Sequence, residues 1–164
     1  MSTAATNKKV IAITGASSGI GKETAKQLVN NGFNVALLAR SEDKLRALVE
    51  ELGNDNAFAV KADVSDFNEL DKAFKKVSEH FGRIDGIFAN AGRGAKAAGI
   101  EKGDVDDWDG MLGANVNGLL YTAKAGLPYL RDTQGHFIIT SSVAGRIALK
   151  GSVYGASKWF AYGF

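Results

Sequence analysis

The chain has 164 residues, 45% of them hydrophobic, and a formal net charge of +2. That length and apolar fraction suit one globular domain with its own core, and so even a charge balance points to neither nucleic acid nor an anionic membrane as partner. There is no cysteine, which excludes disulfides, thiol nucleophiles and thiolate metal sites, and with His80 and His136 as the only histidines no metal centre is expected.

Met1 to Asn7 are polar and small, without the apolar core of a signal peptide, and no apolar run reaches the length of a membrane span. The expectation is a soluble cytoplasmic protein with an N-terminal tail over 1–8 and one domain over 9–164. Five short apolar runs read as strands: Val10 to Thr14, Asn34 to Ala39, Ala57 to Asp63, Ile84 to Asn90 and His136 to Ser141. They are rich in Val, Ile and Phe and free of proline. The segments between them read as helices. The first runs from about Gly19 and stops at Asn31-Gly32, and the second follows Ser41 as N-cap, with Glu42 and Asp43 in its first turn. The third follows Ser65 and repeats Phe67, Leu70, Phe74 and Val77 at helical spacing. The fourth is expected to run unbroken from about Val105 to Leu130, with Trp108, Leu112, Val116, Leu119 and Ala123 as its apolar stripe, and a fifth begins near Val153. Between the fourth strand and the fourth helix, the Gly-, Ala- and Lys-rich stretch Gly92 to Gly103 reads as a loop beside the ligand.

Alternating strands and helices with short connections predict an α/β fold, a Rossmann-like doubly wound parallel sheet of five strands. In such a sheet ligands lie beyond the carboxyl ends of the strands. After the first strand comes Thr14-Gly15-Ala16-Ser17-Ser18-Gly19-Ile20-Gly21. Gly15 allows a tight turn, Gly19 a close backbone approach to phosphate, and Gly21 close packing of helix on sheet. The helix N-terminus presents N–H groups and a positive dipole end to a pyrophosphate, and Ser17 and Ser18 can donate hydroxyls. The alternative is a plain tight turn.

At the tip of the second strand, where a carboxylate would select the adenine ribose hydroxyl, the chain has Ala39-Arg40-Ser41. An arginine there can bind a 2′-phosphate, so NADP(H) is favoured over NAD(H). Asp63 and Val64 close the third strand and Asn90, Ala91 and Gly92 the fourth. All five fall at the cofactor rim. Asp63 can accept from an adenine amino group or cap locally.

Tyr154 and Lys158 are spaced to share one helix face. At about 4 Å and an effective dielectric of about 20, an ammonium favours a phenolate by roughly 4 kcal/mol, which equips such a pair for general acid–base work. Ser142 follows the fifth strand and can hold a carbonyl oxygen beside the tyrosine, or cap a turn. Asn115 falls in the apolar stripe of the fourth helix, where it can anchor a water near Lys158 or be satisfied by backbone.

These pieces, with Asn115-Val116-Asn117-Gly118 and Tyr154-Gly155-Ala156-Ser157-Lys158, stand in the order and spacing of the short-chain dehydrogenase/reductase family, which the chain resembles from Lys8 onward. The resemblance implies an NAD(P)-binding oxidoreductase that interconverts an alcohol and a carbonyl. It gives Tyr154 the proton exchange with the substrate oxygen. Lys158 is implied to assist that tyrosine and bind the nicotinamide ribose, Ser142 to orient the substrate oxygen, and Asn115 to hold a relay water. The glycine turn and Asn90 would bind cofactor, with Arg40 at the position of an NADP-type arginine. The family's assembly implies a homo-oligomer, a dimer or tetramer. Its members continue through two more strands, a substrate loop and a proline–glycine segment, none of which this sequence contains. The apolar ending Trp159 to Phe164 likewise predicts that residues follow Phe164 or that another segment covers this face. A non-catalytic dinucleotide-binding or regulatory protein on the same fold is the rival. The intact Asn115, Ser142, Tyr154 and Lys158 set argues against that rival, and Tyr154 with Lys158 also argues against a methyltransferase on a related fold.

Overall fold

The computed structural model describes residues 8–97 and 99–164. The tail expected over 1–8 lies outside the described residues apart from Lys8. Five strands form one parallel sheet in the order β3-β2-β1-β4-β5: β1 Val10–Thr14, β2 Asn34–Ala39, β3 Ala57–Lys61, β4 Gly86–Ala89 and β5 His136–Ile139. The chain turns back across the sheet between β1 and β4, the place where a parallel sheet opens a crevice at its carboxyl edge.

Strand periodicity divides the core in two. Val10 and Ala12 of β1, with Ala36 and Leu38 of β2, face α3 (Phe67–Phe81) and α5 (Gly118–Thr133) and pack on Phe74, Val77 and Leu130. Ile13, Val35 and Leu37 face the other way, onto Ala25 of α1 (Gly19–Asn30) and Leu45 and Leu48 of α2 (Glu42–Leu52). Every residue of β2 is buried, as its unbroken apolar run requires of a strand covered on both faces. At the outer edge β5 leaves Ile138 exposed.

The carboxyl edge departs from the sequence reading. β3 and β5 each stop two residues before their expected ends; Ala62 and Thr140 still donate to the Ala39 and Ala89 carbonyls at 3.0 and 3.1 Å, and Ala62, Asp63, Thr140 and Ser141 line the cleft above the sheet. β4 is narrower than expected at both ends. The cap of α3 is Asp66, not Ser65: its carboxylate accepts from the N–H groups of Asn68 and Glu69 at 2.8 and 3.1 Å.

The long fourth helix is also broken in register. α4 (Val105–Leu112) passes into a π turn over Gly113–Asn117 before α5 begins. One extra residue per turn rotates the inward face. The innermost positions become Asp107, Met111 and Asn115, while Trp108, Leu112 and Val116 are only half-buried. A glycine lets this irregular turn approach the segment after β3: a Cβ on Gly118 would sit 2.7 Å from Val64 Cγ2. α6 (Val153–Gly163) is capped by Ser152, whose hydroxyl accepts from Gly155 N at 2.9 Å.

An ion pair with a buried carboxylate ties the opposite edge of the sheet. Asp85 accepts from Val10 N at 2.8 Å and from both Nε and Nη2 of Arg83, at 2.8 and 2.5 Å. Burial pushes the Asp85 carboxyl up, but the Arg83 bonds, the Val10 N–H and the nearby charges of Arg83 and Lys9 outweigh it and hold the group below its ordinary value. Its stabilisation is therefore full above the ordinary carboxylate range and is lost as pH falls through the lowered folded value. Arg83 stays partly exposed and screened, so Asp85→Ala should cost about 2 kcal/mol near neutral pH. The deficit against wild type, read from urea midpoints, should shrink in acid.

Candidate active site

A cleft of about 650 Å³ opens along the carboxyl edge of the sheet, from the ends of β2 and β3 across β1 to the ends of β4 and β5. Its floor begins at the glycine turn. Gly15 and Gly19 have left-handed φ angles of 68° and 54°, which glycine adopts without strain. A Cβ on Gly21 would lie 2.6 Å from the Gly15 carbonyl oxygen and 2.8 Å from Asn90 Nδ2, so only a bare backbone lets α1 start this close to the sheet. Ser18 sits at the cap position of α1 yet its side chain makes no capping bond, and the first turn holds no acidic residue. The N-terminal N–H groups and dipole of α1 are thus left for an anion. Ser17, Ser18 and Ile20 line the cleft beside them.

Arg40 and Ser41 line the β2 end. Arg40 is exposed and lies 3.8 Å from Asp63, Nη1 to Oδ2. Ser41 holds the N-cap position of α2 as expected, though its side chain makes no capping bond. Asp63 is held locally: Oδ1 accepts from Ser65 N and Oγ at 2.9 and 2.7 Å, and its own N–H donates to Glu69 at 2.8 Å. Val64 is buried beside it and lines the cleft.

Thr14, not singled out by the sequence reading, stitches the middle of the floor. Its hydroxyl accepts from the N–H groups of Asn90 and Ala91, both at 3.1 Å, and its carbonyl accepts from Asn90 Nδ2 at 3.1 Å. Thr140 Oγ1 donates to Asn90 Oδ1 at 3.1 Å. Asn90 therefore joins the ends of β1, β4 and β5, and with Ala91 and Gly92 forms the cleft wall.

The far end is built by α6. Tyr154 and Lys158 both line the cleft, with the ammonium 6.0 Å from the tyrosine ring centroid. Lys158 Nζ donates to the Thr140 carbonyl at 3.0 Å, which holds it at the end of β5. Burial pushes the Lys158 ammonium below its ordinary value, as desolvation does to any buried cation. Ser141 Oγ donates to the Lys158 carbonyl at 3.1 Å and lines the cleft.

Two of the expected site residues stand differently. Ser142 Oγ accepts from Ala144 N at 3.2 Å, capping a 3-10 turn over Val143–Gly145, and does not line the cleft. Asn115 is buried below the cleft in the π turn, where its Oδ1 accepts from Arg93 N at 2.9 Å. Its Nδ2 donates to the Arg93 carbonyl and to Ser157 Oγ, both at 3.0 Å. A Cβ on Gly92 would lie 3.0 Å from Asn115 Oδ1 and 3.5 Å from Lys158 Nζ, so bare backbone separates the two. The sequence reading also passed over Arg93, whose only local signal is a charge directly after the Asn90-Ala91-Gly92 strand end.

The donor set fits a dinucleotide: an uncapped helix N-terminus at mid-cleft for a pyrophosphate, an arginine and a hydroxyl at one end, and a lysine and a phenol at the other. Among the described residues no cluster of three His, Asp or Glu side chains can hold a metal ion, and no helix is long and apolar enough to cross a membrane.

The family described as short chain dehydrogenase matches residues 9–164. Among relatives, the oxidoreductase BOA17 of Botryotinia fuckeliana is 42% identical over 95% of this chain and 57% of its own length. The chain spans between 57% and 66% of the length of the curated relatives it matches. Among solved structures, an alcohol dehydrogenase from Thermococcus sibiricus complexed with 5-hydroxy-NADP has a TM-score of 0.90 at 34% identity, over 96% of this chain and 68% of that one. A short chain dehydrogenase/reductase from Burkholderia phymatum in complex with NAD has a TM-score of 0.89 at 28% identity, over 95% and 57%.

Proposed function

The chain belongs to the short chain dehydrogenase family, and on that premise we propose that it is an NADP(H)-dependent oxidoreductase that interconverts an alcohol and a carbonyl, with Tyr154 as general acid and base. The observation that carries this reading is one continuous cleft with Arg40 and Ser41 at one end, the free N-terminus of α1 in the middle, and Tyr154 with Lys158 at the other.

Arg40 and Ser41 grip the 2′-phosphate, the first turn of α1 with Ser17 and Ser18 receives the pyrophosphate, and Asn90 to Gly92 form the wall behind the nicotinamide ribose. The bound nicotinamide supplies or accepts the hydride. Tyr154 gives its phenolic proton to the substrate oxygen in reduction and takes it back in oxidation. Lys158, held by Thr140, stabilises the phenolate and keeps donors for the ribose hydroxyls. Burial disfavours its charge, and a phenolate beside it restores that charge. The Ser142 hydroxyl, one residue beyond the cleft-lining Ser141, would offer a hydrogen bond to the substrate oxygen. Its bond from Ala144 N uses only an acceptor lone pair and leaves the hydroxyl proton to give. Asn115 keeps one acceptor site on Oδ1 for a water between itself and Lys158.

The proposed assembly is a homo-oligomer, supported by the exposed apolar side chains Ile147, Leu149, Trp159 and Tyr162 on and beside α6. The enzymatic reading is tested by following NADPH oxidation with a panel of aldehydes and ketones. Turnover of at least one carbonyl is expected. NADPH binding with no turnover across the panel would leave the non-catalytic reading standing instead.

A further inference from the structure

A chain of contacts runs from α4 to the tyrosine. Asp107 is a buried carboxylate on the inner face of α4. It is bonded to Arg93 Nη2 and accepts from Lys96 N at 2.8 Å, and its carbonyl accepts a second bond from the same Nη2 at 2.9 Å. The carboxylate and carbonyl of one residue thus hold the side chain of Arg93 and the backbone of Lys96. The backbone of Arg93 is in turn clamped on both its N–H and its carbonyl by Asn115. Asn115 donates onward to Ser157 Oγ, and Ser157 Oγ donates to the Tyr154 carbonyl at 2.7 Å.

Resting on the reading of Tyr154 above, we propose that Arg93 and Asp107 are positioning residues: they pin the segment after β4 onto α4 and, through Asn115 and Ser157, fix the backbone of α6 at Tyr154. Arg93 also lines the cleft between Gly92 and Gly94, so the same pin sets this stretch of its wall. The guanidinium suits this task because one nitrogen reaches two acceptors in a fixed plane, which a lysine point charge cannot reproduce. Arg93 Nε is buried without a hydrogen-bond partner. A pair serving stability alone would therefore tolerate Arg93→Lys, which removes that unmatched donor and keeps the charge.

Trp108 supplies a readout that needs no turnover. It directly follows Asp107 on α4, and its ring covers Gly103 so closely that a Cβ there would overlap it at 1.9 Å, so it reports the packing of the α4 start beside the pin. In the full chain carrying Trp159→Phe, which leaves Trp108 as the sole tryptophan, Arg93→Lys and Arg93→Met should both raise acrylamide quenching of Trp108. With the best carbonyl of the panel, both should lower kcat by about 10- to 100-fold, with NADPH affinity nearly unchanged. If Arg93→Met does not fold because Asp107 is left unpaired, Arg93→Met with Asp107→Leu removes both charges, a change that cores often accept, and the same losses are expected. Unchanged quenching and kcat in these variants, or full recovery with lysine, would overturn the proposal. Absence of turnover and of NADPH binding in wild type would count against the enzymatic reading alone, since the quenching comparison still decides whether the pin exists.

Discussion

Tyr154→Phe is expected to lower turnover by about 100- to 10,000-fold, the range associated with one general acid–base group. The phenol lines the cleft beside the buried Lys158, and phenylalanine keeps the ring while removing the one proton that can be exchanged there. NADPH binding should change by less than about threefold, under roughly 0.7 kcal/mol. The proposed pyrophosphate and 2′-phosphate contacts lie at other residues of the cleft, so they are expected to survive the substitution. Binding measured by titration and turnover measured by NADPH oxidation should therefore separate. Retained turnover would refute the role given to Tyr154.

Arg40→Asp should reverse the cofactor preference. A hydrogen bond to a charged group is worth about 1.5–3 kcal/mol, so losing the guanidinium should weaken NADPH binding by about 10- to 100-fold. A carboxylate at position 40 also repels the 2′-phosphate and can accept from a 2′-hydroxyl, which favours NADH. Asp63 stands 3.8 Å from Arg40. It loses its cation in this variant, and the added repulsion works in the same direction. The wild-type preference should fade with rising ionic strength, because Arg40 is 75% exposed and its attraction is screened. An unchanged ratio of NADPH to NADH affinity would show that the 2′-phosphate is not read at this position.

The sheet was legible because its strands are short apolar runs bounded by turn residues. β1 and β2 have the predicted ends, since the glycine turn and Asn31-Gly32 punctuate them. The prediction overran β3 and β5, whose last ladder bonds come from the N–H groups of Ala62 and Thr140 before the backbone turns away. Those overrun residues are the ones that line the cleft. The unbroken fourth helix was misread because a π turn keeps helical composition while adding one residue to a turn. Only packing reveals that Asp107 and Asn115, not Trp108 and Val116, face inward. Arg93 and Asp107 are distant in sequence, and neither has a periodic partner, so their pairing belongs to the fold alone. Ser142 takes the turn-capping role that its place after β5 also allows, at the 3-10 turn over Val143–Gly145.

The central claim is that the chain's cleft carries hydride chemistry with a proton supplied by Tyr154. Its most direct test is isotope transfer. NADPH deuterated at the reactive nicotinamide carbon is mixed with the protein and a carbonyl compound, and the alcohol product is read by mass spectrometry. The account predicts one deuterium on the carbinol carbon of each alcohol formed from one face of the nicotinamide, with formation collapsing in Tyr154→Phe. Alcohol without deuterium from either face, or no alcohol from any carbonyl while NADPH is bound, would contradict it.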